Sequence, residues 1–83
     1  MGIVTYYVAL PFIRTDDGEI VAGEPRELRT AGAAVREAQR MAMNAAGAVA
    51  FSRTGDPALG EFDNAVVIRR FGEVDEAELM RAP

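Results

Sequence analysis

An α+β fold is predicted: a four-stranded, mainly antiparallel sheet, running strand, strand, helix, strand, strand, with one helix packed on one face. Three observations predict it. The chain opens with a long β-branched and aromatic stretch that turns on Asp16-Asp17-Gly18. Its middle then changes to a period near 3.6 residues, with alanine along one side. Two further β-rich runs follow, Gly47–Arg53 and Ala65–Phe71. At 83 residues there is room for one domain, taken as residues 1–75, and a tail, 76–83, partly helical or frayed.

The elements follow in order. Ile3–Arg14 is rich in residues that suit a pleated surface, and neither of its two faces is clearly polar. Pro11 removes one ladder donor, so the strand is expected to bulge, bend or lie at an edge there. Thr15-Asp16-Asp17-Gly18 reads as a hairpin tip with a three-residue loop, Gly18 taking positive φ. The return strand is Glu19–Gly23, continuing past Pro25 toward Leu28. The helix is expected over Thr30–Ala46, with Thr30 as N-cap and Gly47 as a left-handed stop. Ala34, Val35, Ala38, Met41, Ala42 and Ala45 share its apolar face, while Arg36, Glu37 and Arg40 point away. Alanine buries little area, so the bulk of the core must come from the strands. The third strand is Gly47–Arg53 and the fourth Ala65–Phe71. Between them Thr54–Asn64 is a long connection, with a turn at Asp56-Pro57-Ala58-Leu59-Gly60. In the tail, Asp75 is a candidate N-cap, with Glu78 three residues on.

Composition removes several function classes. Cysteine, histidine and tryptophan are absent. Without them there is no disulfide framework, no thiolate or imidazole metal site and no thiol or histidine chemistry. A net charge of −4 sets overall repulsion against nucleic acid and anionic membranes. All nine basic residues are arginine. That suits bidentate anion recognition, and equally a GC-rich genome in which alanine, glycine and valine also abound. Met1–Ile3 carries no positive charge and no apolar run approaches a membrane span, so a cytoplasmic location is expected.

Few constellations could carry chemistry. Asp56, Glu61, Asp63 and Asn64 fall within nine residues and could offer oxygen ligands to a hard cation, but their spacing is not that of an EF-hand and turn roles suffice. Ser52–Asp56 looks like an anion-cradling loop, yet no helix follows it. Arg53, Arg69 and Arg70 could meet Tyr6 or Tyr7 across the sheet as a single-strand binder would arrange them. Arg69 and Arg70 are sequential and must point to opposite faces, so at most one joins such a patch. Ion pairing with Glu61, Asp63 or Glu24 is the expected fate of these arginines.

Gly47–Pro57 (GAVAFSRTGDP) and Val66–Glu73 (VVIRRFGE) resemble a group of short uncharacterised bacterial proteins of alphaproteobacterial type. The group shares an alanine-rich helix, an Ala-Phe-Ser-Arg strand and a Phe-Gly-Glu ending. The resemblance covers about residues 30–75. It implies a bacterial cytoplasmic protein and, with no activity attached to the group, adds no site.

One helix can cover only one side of a sheet, and three of the strands are apolar on both. The function expected is therefore a small non-catalytic protein-interaction module, homodimeric through the open sheet face or edge. No catalytic residue, cofactor or metal is assigned. The expected partner surface is Tyr6, Tyr7, Arg53, Val67 and Arg70, and the partner a protein, self or another chain, with neither nucleic acid nor membrane. The alternative is a weak single-stranded nucleic-acid or anion binder using arginines and tyrosines on the sheet, with a cation site at residues 56–64 more distant still.

Overall fold

A computed structural model describes residues 2–77. The elements are β1 (Val4–Arg14), β2 (Ile20–Ala22), β3 (Arg26–Leu28), α1 (Ala31–Ala42), β4 (Gly47–Asp56), β5 (Glu61–Phe62) and β6 (Val66–Gly72). All pairings are antiparallel. β1 and β4 form the centre, from Val4↔Gly55 to Phe12↔Gly47. β2 and β3 both lie on the outer side of β1, and β5 and β6 both lie on the outer side of β4. The sheet thus has four rows, and both outer rows are broken in two. The fold is α+β, a curled antiparallel sheet with one helix against it. Among the described residues no helix is long and apolar enough to cross a membrane.

The break in the first outer row follows from two prolines. β3 pairs with Tyr7–Ala9 and β2 with Phe12–Arg14, so the gap falls opposite Leu10 and Pro11. The Pro11 carbonyl accepts from Gly23 N–H at 2.8 Å, which aims the Pro11 nitrogen at the same outer side. That nitrogen carries no hydrogen, and Pro25 carries none on the facing segment, so the ladder cannot close there. Pro11 therefore sits in a central strand, at the point where the neighbouring row is interrupted.

The hairpin tip forms as its residues require. Gly18 N–H donates to the Thr15 carbonyl at 2.9 Å and Thr15 N–H to the Glu19 carbonyl at 2.8 Å. Gly18 has φ 86°, open to glycine without a Cβ penalty. The second connection is shorter than the sequence suggests. β4 runs on to Asp56, Ser52–Asp56 is extended strand rather than loop, and the turn occupies only residues 57–60. The Asp56 carboxylate accepts from Ala58 N–H at 2.9 Å, a side-chain turn that gives this acid a structural task.

Thr30 caps the helix, its hydroxyl accepting from Ala33 N–H at 3.0 Å. The helix stops at Ala42 with Met43 as C-cap, four residues earlier than expected. Gly47 is not its left-handed stop. It is the first residue of β4, where a Cβ would lie 2.2 Å from the Glu73 carbonyl oxygen. Close backbone approach, not positive φ, is what requires glycine there.

The core is two clusters on opposite sides of the sheet. Under the helix, Ala9, Ala48 and Ala50 meet Ala34 and Ala38, all fully buried, with Tyr7, Leu28, Val35 and Phe71 around them. Alanine against alanine lets the helix lie close but contributes little area. The larger side chains lie on the other side: Phe12 and Val49 fully buried, Leu10 and Phe51 nearly so. Ile20, Ala22, Val67 and Val74 fold over this second cluster from the curled edges. The expectation of a wholly open second face is corrected at this end of the sheet. The tail expected over residues 76–83 lies, from residue 78 on, outside the described residues.

Candidate interaction surface on the sheet

The register assigns each expected surface residue to a face. Leu10 and Phe12 alternate with Val8 and Tyr6, so these four share the face away from the helix. Tyr7 falls on the other parity, beside Ala9, and packs at the margin of the cluster beneath α1. Tyr6 faces Arg53 across the strand pair and Val8 faces Phe51. Val67 opposes Phe51 from β6. Arg70 opposes Val49 on the same face, while Arg69 opposes Ala50 on the helix side. A register shift between Ala50 and Phe51 leaves Ile68 as the extra residue. The structure therefore brings Tyr6, Arg53, Val67 and Arg70 to one face and sends Tyr7 to the other.

These four are not one patch. Arg70 lies at the closed end, where its guanidinium Nε donates to the Glu76 carboxylate. That hydrogen bond, with the attraction between the charges, raises the Arg70 pKa above its ordinary value. The same bond lowers Glu76 from its own. Val67 packs over Phe51 as part of the second cluster. Tyr6 and Arg53 lie at the far end, where the curl does not reach.

At that end a groove of about 430 Å³ opens between Tyr6, Val8, Phe51 and Phe62, with Arg53 and Glu27 at its margin. Phe62 is the residue the sequence reading missed as a surface candidate. It reaches the groove because Gly55, its partner on β4, has no side chain: a Cβ there would lie 2.6 Å from the Phe62 Cα. The Tyr6 and Phe62 rings stand 5.8 Å apart, tilted by 42°. The Arg53 guanidinium lies 5.6 Å from the Phe62 centroid, and its Nε donates to the Asp63 carbonyl at 3.3 Å. Arg53 thus braces the groove wall through at least a ring and a carbonyl. The signal that could have found Phe62 was the Gly55–Phe62 spacing across a Pro-Gly turn, which fits a hairpin continuing beyond Arg53.

Other charged pairs hold elements together. Glu37, expected to point away from the packed face, has a side chain only 11% exposed, because it takes Arg26 of β3 at 3.2 Å and Arg40 one turn along the helix. Arg14 pairs with Glu73 across the curled end. Among the described residues, no group of three or more Asp and Glu side chains is gathered as a metal site would need. No family model, curated protein or solved structure matches the chain.

Proposed function

We propose that the chain is a small non-catalytic protein-interaction module of the cytoplasm, and that its contact surface is the end of the sheet the helix and the curled edges leave uncovered. One observation carries this reading. The groove between Tyr6, Val8, Phe51 and Phe62 is a shallow, mainly apolar depression on a face whose other half is already closed. Such a surface gains by excluding water with a partner's apolar side chains.

A second copy of the chain, which carries the same apolar groove, is the partner we propose. Arg53 and Glu27 carry opposite signs at the groove margin. Two copies stacked face to face about a two-fold axis lay each groove against the other, a self-complementary arrangement that shelters Tyr6, Val8, Phe51 and Phe62 of both. The alternative, a nucleic-acid surface, has less support, because Arg70 is engaged by Glu76 and Glu27 adds negative charge beside Arg53.

Light scattering or sedimentation from micromolar to submillimolar concentration tests the reading. Association is expected, and it is weakened by Tyr6→Glu in the groove while circular dichroism shows the fold intact. A monomer at every concentration removes the self-association reading.

A further inference from the structure

We infer that the outer edge of β6 binds an extended, acidic peptide segment, which joins the sheet as a further strand and sets a carboxylate opposite Arg69. This surface is separate from the groove and does not depend on self-association.

The edges of the sheet are unequal. β2, β3 and β5 are 3, 3 and 2 residues long, too short to template a partner strand. β6 has 7 residues, and among the described residues it pairs with β4 alone. Alternate N–H and C=O groups of a strand point to its two sides, so the outer side of β6 carries a row of backbone donors and acceptors with no strand to take them. An incoming extended segment satisfies that row by pairing with it. Val66 and Ile68, both exposed, add apolar contact.

Charge selects the occupant. Arg69 is exposed at the middle of the strand, opposite Ala50 on the helix side. Arg14, Arg26, Arg40 and Arg70 each reach a carboxylate. Among the described residues Arg69 reaches none, and its guanidinium lies 5.6 Å from the Phe71 ring centroid instead. A cation held against a ring still has N–H donors to offer, and the ring steadies it beside the edge. A second copy of β6 is a poor occupant. Antiparallel pairing of two such strands over Val66–Gly72 sets Arg69 directly opposite its own copy, and like charges so placed destabilise a sheet. The register shift at Ile68 also bends the edge, which disfavours a long flat pairing between sheets but leaves a single flexible segment able to follow it. An acid opposite Arg69 turns the guarding charge into an attraction. The net charge of −4 repels such a segment at a distance, so recognition is made at contact.

The test titrates a peptide of alternating glutamate and valine, matched in length to β6, into the full nitrogen-labelled chain. Amide shifts at Val66–Gly72 and slower hydrogen exchange at alternate N–H groups of β6 are expected. The same peptide with lysine in place of glutamate, which the net charge would favour, is expected to bind β6 about tenfold less tightly, the scale of one charged hydrogen bond. Arg69→Glu is expected to reverse that preference, with circular dichroism showing the fold intact. No shift with either peptide, equal binding of both, or shifts centred on Tyr6 and Phe62 overturns the inference. Should Arg69→Glu unfold the chain, the two peptides on the unaltered protein still decide. A negative result here leaves the groove reading standing, since that one is judged by association and by Tyr6→Glu.

Discussion

Gly47 and Glu76 show how much of this fold turns on single atoms. At Gly47 a Cβ would lie 2.2 Å from the Glu73 carbonyl oxygen, 2.5 Å from its nitrogen and 2.5 Å from the Phe71 carbonyl oxygen. All three are backbone atoms and cannot swing aside. Gly47→Ala is expected to cost about 1–3 kcal/mol in urea denaturation, the range for overpacking a closed site. A loss within the ordinary scatter of surface changes, about 0.5 kcal/mol, would show that the Gly72–Glu73 crossing is not tight. Glu76 gives a pH signature. Its carboxyl is lowered below the ordinary 4.5 by the hydrogen bond from Arg70. The folded state therefore holds the proton less tightly than the unfolded chain. The stability this adds is fully present above the ordinary value and is lost as pH falls through the lowered one. Both groups are exposed, so the effect is small. Glu76→Gln is expected to lower the urea midpoint slightly at pH 6 and to leave it unchanged at a pH where the native carboxyl is protonated. Equal losses at both pH values would assign the effect to something other than charge.

At the scale of elements, α1 depends on its first residue and on the smallness of its face. Thr30 satisfies one of the open N–H groups of the first turn, and Thr30→Ala is expected to cost about 1 kcal/mol, read from thermal or urea unfolding. Ala34 and Ala38 lie directly against Ala9, Ala48 and Ala50, with no exposed surface left. Ala38→Leu adds three heavy atoms where the helix cannot retreat without breaking the Arg26–Glu37 link to β3. A loss of about 1–3 kcal/mol is expected, and a neutral or stabilising outcome would mean that the helix face has slack. The outer strands show the converse. Their breaks at Pro25 and at residues 63–65 let each row bend, and the bend is what folds Ile20 and Val67 over the second cluster.

The described residues span 44 × 24 × 16 Å, a least dimension that holds two backbone layers about 10 Å apart but not a third. Among the described residues, then, no third layer covers the second side of the sheet. The sheet curls over its own far face instead, which accounts for full burial of Phe12 and Val49 where no helix lies. Phe12 is expected to matter more than any helix-side alanine. Phe12→Ala should cost about 3–5 kcal/mol, a large share of the roughly 5–15 kcal/mol that folds a small domain. A loss no greater than that of the Thr30 cap would place the main core under the helix after all. The curl runs out at the Tyr6 end, which is why the groove is found there and not across the whole face.

Much of this was legible in the chain because it is local. Alternating β-branched residues, the Asp-Asp-Gly tip, the Thr30 cap and the alanine stripe are each decided by neighbours in sequence, and each appears in the structure. Sequential Arg69 and Arg70 had to part company, since strand neighbours face opposite ways, and they do. The choice between Tyr6 and Tyr7 was not legible, because parity alone does not say which side the helix takes. Nor was Phe62, whose position depends on Gly55 across a turn, nor the engagement of Arg70 by Glu76, which needs the chain to double back. The sequence by itself determined which elements form and which residues alternate together. Only the tertiary structure decided which face is roofed, because burial is set by surfaces that meet from distant parts of the chain.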